Sequence, residues 1–264
     1  MHLIPLTPLD LGLAALLVLA LALFSARVHL DVTRPLLIAA LRTTVQLLLV
    51  GLVLKAVFAR VHLLWIGGIS LVMLLLAGRE VMARQRRRLA GWWGFGVGTL
   101  SMFVSSFAVT LLALTVVIGP QPWYQPQYSI PLLGMLLGNT MNGIAIAMDR
   151  LTQEAWQQRT VIEGRLLLGQ DWGRAIGDIR RDSMRSGLIP IINAMSAAGI
   201  VSLPGMMTGQ ILAGSPPVEA VKYQILIMFL IAAGTGFGTM GAVWMGARRL
   251  FDERQRLRLD RLHS

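Results

Sequence analysis

The sequence predicts an all-α, polytopic helical membrane protein of about seven transmembrane helices, and three observations carry that expectation. Hydrophobic residues make up 55% of the chain and charged residues only 14%, against roughly a quarter charged in a soluble domain. The mean hydropathy is +0.65. The apolar residues fall in continuous runs rather than in alternation, which argues against a membrane β-barrel. Such an excess cannot be hidden inside one soluble core, and it equally excludes a disordered chain. With no cysteine among 264 residues, a disulfide scaffold and a thiolate metal site are excluded too.

A bilayer core about 30 Å thick takes about 20 apolar residues as helix. Seven runs approach that length: Leu9–Ser25, Pro35–Phe58, Leu63–Gly78, Gly91–Ile118, Ile130–Met148, Leu188–Leu203 and Ile225–Ala247. No Lys or Arg precedes Arg27, so the first run is expected to be a retained helix rather than a signal peptide. The second carries Arg42, about 10 Å in from its expected cytoplasmic end, with Gln46 one turn further on the same face. Either Arg42 snorkels to the headgroups, or the two form a polar stripe facing the bundle; the shorter Gln46 favours the stripe. The third and sixth runs are short, and a re-entrant segment is the alternative for each. In the fifth, Met135, Asn139, Asn142, Ile146 and Asp149 share one helical stripe, with Gly134 and Gly138 forming a GxxxG beside it. That pattern reads as a helix–helix seam with amides bonding across it, or as part of a substrate path. Gly94/Gly98 and Gly234/Gly238 repeat the small-residue spacing. The 14 methionines suit irregular apolar packing, with a soft-metal path as the alternative.

Charge orients the chain. The net charge is +11, and in a soluble protein that would suggest nucleic acid; here the charges lie between apolar runs. Segments 27–34, 79–90, 149–187 and 246–264 together hold 20 Lys and Arg, whereas the alternate segments hold 3. By the positive-inside rule the N-terminus is expected outside and the C-terminus in the cytoplasm. Gly119–Ser129, with three prolines and three interfacial aromatics, is expected to be an outer turn.

The loop 149–187 is long and carries 7 basic and 6 acidic side chains, and loops of that length are usually functional. Glu163 to Gly169 starts charged, turns apolar and stops at a glycine, which predicts a short helix with Glu163 at its start. Trp172, Ala175, Ile176 and Ile179 fall on one face of a second helix that runs into the sixth span. The pair either lies on the membrane surface or docks a cytoplasmic partner. The tail 248–264 has six arginines. It is expected to prolong the last helix and to be drawn to anionic lipid.

Several chemistries are absent from the sequence. There is no GxxxxGK[ST] phosphate loop and no HExxH, and the four histidines lie in termini or short loops. No pair of acids sits at membrane depth for acid–base work. The chain is therefore expected not to be an enzyme and to hold no cofactor of its own.

The stretches IPLLGMLLGNTMNG (130–143), RDSMRSGLIPIINAMSAAGIVSLPGMMTGQILAG (181–214), PVEAVKYQI (217–225) and RTTVQLLLVGLVLKAVF (42–58) resemble the FetB-type ABC transporter permeases. These are iron export permeases of bacteria, related to a plant aluminium-sensitivity family. The resemblance implies a permease subunit of the bacterial inner membrane. It also implies a homodimer working with two separate P-loop ATPase subunits, which would bind ATP and Mg. It implies a coupling helix of the E-A-A-x-x-x-G kind, with Glu163 and Gly169 at its ends and Leu166 and Leu167 among its contacts. Here Gly164 stands in place of the usual Ala. No metal ligand follows from the resemblance; Asn139, Asn142 and Asp149 are the oxygen donors within the spans, and Fe²⁺ prefers N and O donors. A stand-alone secondary transporter or channel is the alternative, and a non-transporting scaffold a third reading.

Overall fold

The structure is a computed structural model that describes residues 7–58 and 62–263. The chain forms two compact units. The first is the hairpin of α1 (Pro8–Arg27) and α2 (Thr33–Phe58). Thr7 and Asp10 close a capping box at the start of α1, the Asp10 carboxylate accepting from the Thr7 backbone N–H at 2.7 Å. Such a box satisfies backbone donors that the first turn leaves unpaired. The Thr33 hydroxyl ties α2 back to α1 through Ser25 Oγ at 3.2 Å. Both helices are apolar yet expose nearly all of their surface. Helices that are apolar all round belong in lipid.

The second unit begins with α3 (Leu63–Ala83) and α4 (Trp92–Met102). The same rod continues through a π turn (Phe103–Phe107), α5 (Ala108–Leu112) and a second π turn (Ala113–Ile118). It then forms α6 (Pro126–Gln157), α7 (Arg159–Leu167), α8 (Trp172–Ala175), α9 (Gly177–Ala197), α10 (Gly205–Leu212) and α11 (Pro217–Arg249). Pro126 does not block the helix within the outer turn as expected. It stands at the first position of α6, where a missing N–H costs nothing.

Among the described residues, six helices are long and apolar enough to cross a membrane. The run Leu188–Leu203 is not one of them. The helix containing it starts at Gly177 and stops at Ala197, and Gly199, at φ +83°, turns the chain toward α10. Packing nevertheless gives α9 the direction of a crossing. A Cβ on Gly234 or Gly238 would meet Leu136 or Thr140, and one on Gly246 would meet Met148, so α6 and α11 run parallel. Between them in sequence, α9 must return. Its Ile179 joins the apolar cluster of Leu151 and Leu250, and its Ile191 joins that of Leu132 and Leu136. Thus α9 lies antiparallel to α6. Asp178, Arg180, Arg181, Asp182 and Arg185 make its first half too polar to register by hydropathy.

The backbones of α9 and α6 approach closely. A Cβ on Gly187 would fall 2.5 Å from the Gly143 carbonyl oxygen and 2.9 Å from the Ala147 Cβ. On α11, a Cβ at Gly238 would meet Thr140 at 2.5 Å and Ser105 at 2.7 Å. The close seam is therefore not at Gly134 and Gly138 as expected: Gly138 has open space and Gly134 meets only a flexible methionine end. Hydroxyls line the seam; some bond to helix carbonyls, as hydroxyls within a bilayer do, whereas Thr235 and Thr239 Oγ1 have no partner among the described residues. Ser105 donates to the Ser101 carbonyl at 2.8 Å, and Thr110 to that of Ser106 at 2.6 Å.

Candidate docking platform at the arginine-rich end

The helix directions bring residues 84–91, 149–187 and 247–263 to one end of the second unit. α6 outruns its apolar stretch by several polar turns, ending at Gln157, and a kink at Gln158 (φ −99°, ψ 22°) starts α7. Ile162 is buried and Leu166 packs against the same core, so this face fastens α7 to the bundle. Arg165 fastens it again, donating to the Ala175 carbonyl at 3.1 Å and to the Asp178 carboxylate at 3.0 Å.

The end of α7 is closed by backbone geometry. Gly169 adopts φ +85°, a conformation that costs a residue with a Cβ roughly 1–2 kcal/mol. Its N–H bonds the Leu166 carbonyl at 2.9 Å, while the Gln170 N–H reaches back to Arg165 at 3.1 Å. These are the two bonds of a Schellman cap. The sequence placed this stop correctly but placed the start late. The helix begins at Arg159, so Glu163 is an exposed mid-helix residue rather than a first-turn one. Nor do the three leucines act together. Leu166 turns inward, while Leu167 is 89% and Leu168 84% exposed. Two adjacent bare leucines thus project from the helix end.

Ala175, Ile176 and Ile179 are buried within the chain's own core, and the half-buried Trp172 packs against it, so this face is not free to lie on a membrane surface. Asp171 caps α8, accepting from the Arg174 N–H at 2.7 Å. The Trp172 N–H donates to Gln255 Oε1 at 2.9 Å, and its ring lies 6.0 Å from that of Phe251.

Those last contacts come from the tail, where the structure departs most from expectation. α11 stops at Arg249, and the chain folds back instead of continuing as helix. Leu250 and Phe251 enter the core. A turn with Gln255 at φ +59° returns the chain, and the Arg258 N–H bonds the Leu250 carbonyl at 2.7 Å. Arg261 donates to the Arg249 carbonyl at 2.8 Å, closing the end of α11. Beyond it, β2 (Leu262–His263) pairs antiparallel with β1 (Arg88–Leu89). Ion pairs fix the turn. Hydrogen bonding from the Arg258 guanidinium holds the Asp260 carboxyl down at about 2, and the Arg256 backbone N–H lowers that of Asp252. The tail's arginines therefore serve partly as internal braces. The available signal was the apolar set Phe251, Leu257, Leu259 and Leu262, which the charge run obscured. Between the α7 end and the tail turn lies a groove of about 810 Å³, bordered by Glu163, Leu167, Gly169, Asp171, Arg254 and Leu257.

The polar stripe of α6 is not one site. Asn139 donates to its own helix at the Met135 carbonyl (2.8 Å). Asn142 accepts from Arg84 at 2.5 Å, and Asp149 accepts from the Arg86 backbone N–H at 2.8 Å and from Gln153 at 2.5 Å. Asn139 and Asp149 lie about 15 Å apart along the axis, too far to share one ion at bond lengths of about 2.0–2.6 Å. Asn142 and Asp149 instead join α6 to the chain leaving α3. Among the described residues, no group of three His, Asp or Glu is placed to hold a metal. Arg42 and Gln46 lie on an exposed face of α2 and do not face into their own unit.

Comparison with known proteins places the chain in context. Residues 8–251 match the Uncharacterised protein family (UPF0014). The "UPF0014 membrane protein slr1647" of Synechocystis is 41% identical over 86% of this chain and 87% of its own length. The "Probable iron export permease protein FetB" of Escherichia coli is 30% identical over 96% of this chain and 95% of its own. "Protein ALUMINUM SENSITIVE 3" of Arabidopsis thaliana is 31% identical over 84% of this chain and 80% of its own. No solved structure matches.

Proposed function

The chain belongs to the UPF0014 family of membrane permeases, and from that membership we propose that it is the transmembrane subunit of an ATP-driven exporter of iron or another metal ion. ATP is hydrolysed by a separate P-loop ATPase, and two permeases work with two such subunits. The observation that carries the reading is the end of α7. Leu167 and Leu168 stand bare on a helix that is otherwise tied to the bundle by Ile162, Leu166 and Arg165. A rigid helix with an exposed apolar tip suits force transmission, because movement of the tip must move α6 and α9. The arginine-rich end faces the cytoplasm of a bacterial cell by the positive-inside rule, and that is where ATP is. Iron enters through the name of the Escherichia coli relative.

Inverted membrane vesicles holding the permease and the ATPase test this reading, since export from cells becomes uptake into such vesicles. ATP is expected to drive Fe²⁺ uptake that disappears when the Walker lysine of the ATPase is replaced. Uptake that ignores ATP and collapses with the proton gradient would instead make the chain a stand-alone transporter.

A further inference from the structure

At the opposite end of the second unit, α9 stops, the chain turns, and α10 and the first turns of α11 close around a pocket of about 500 Å³. Met195 and Met207 border it from α9 and α10, Leu203 from the turn, and Gln224, Met228 and Phe229 from α11. No charged residue lines it. Among the described residues that do, Gln224 carries the one polar side chain. That residue is 8% exposed, and its Oε1 is buried without a hydrogen-bond partner.

Buried polar atoms are almost always satisfied, and an orphan calls for an explanation. A lipid acyl chain does not provide one, because it has no donor. The pocket size lies in the range of small-molecule sites, which are mostly apolar with a few placed polar groups. Methionine walls adapt to occupants of varied shape. A divalent cation fits poorly, since no carboxylate offsets the cost of stripping its water. We propose that this pocket binds an uncharged, apolar-bodied molecule carrying one N–H or O–H donor, which it gives to Gln224 Oε1. Such a site is separate from the docking platform and independent of the assignment of an ATPase partner.

Two probes of similar shape decide it: 1-naphthol, which has a donor, and 1-methylnaphthalene, which has none. Binding is measured by equilibrium dialysis against the protein in lipid nanodiscs, with empty discs subtracted for partition. The naphthol is expected to bind about tenfold more tightly, the worth of one hydrogen bond. Gln224→Leu should erase that preference while both probes still bind. Met228→Trp, which fills the cavity, should abolish binding of both, with thermal melting confirming that the variant is folded. Equal affinity in the unaltered protein would overturn the proposal, as would binding that survives Met228→Trp. Failure of both probes would also overturn it, pointing to lipid or a second copy as the occupant. Capture of silver(I) without naphthol would overturn it in favour of a thioether cation site.

Discussion

Leu167→Asp is expected to leave the permease at its normal level in the membrane while reducing the ATPase recovered with it about thirtyfold. Leu167 is 89% exposed, so the substitution removes nothing from the core and insertion should proceed as before. On docking, the side chain passes from water into an apolar contact, a transfer worth roughly 1.5–3 kcal/mol for a leucine. An aspartate forfeits that gain and adds the cost of dehydrating a charge. A loss of about 2 kcal/mol corresponds to some thirtyfold in affinity, and small interfaces concentrate their energy in a few such anchors. Pull-down at matched permease levels reads the effect, and transport should fall with it. Recovery of the ATPase at the usual level would remove Leu167 from the interface.

Phe251→Ala should destabilise the permease by about 3–5 kcal/mol, the usual cost of emptying a buried aromatic site. Phe251 is 2% exposed and packs beside Trp172. It anchors the returning tail to the segment that follows α7. At 2–4 °C per kcal/mol for a chain of this size, the melting midpoint in detergent should drop on the order of 10 °C. A tail that merely prolonged α11 along the lipid surface would tolerate the change with almost no shift. The same melt therefore separates a folded brace from a charged extension.

The apolar middles of the helices were legible because hydropathy reports the part of a helix that dissolves in lipid. Their ends were not, because a helix passes into water without changing its backbone. α6 runs from Met148 on to Gln157 through polar turns, and α9 begins with the polar turns Asp178 to Arg185 before its apolar half. Gly169 was legible because one residue type meets one local demand, a positive φ at a helix end. Asn142 and Asp149 were placed on the right face, yet their partners, Arg84 and the Arg86 backbone, come from the chain leaving α3, which no local spacing names. The tail was misread for a related reason. Six arginines dominated its composition, while the side chains that fold it, Phe251, Leu257 and Leu262, fill gaps made by distant segments.

The docking claim has one direct measurement. Because the chain has no cysteine, Leu168→Cys provides a single thiol at the exposed tip of α7. Paired with single cysteines in the surface grooves of the ATPase, it can be tested with a short bismaleimide linker in native membranes. The account predicts a cross-linked permease–ATPase species, formed without loss of membrane insertion and diminished when Leu167→Asp is added. A thiol that reacts with lipid-phase maleimide, yet yields no cross-link at any groove position, would place the α7 tip on the membrane and contradict the account.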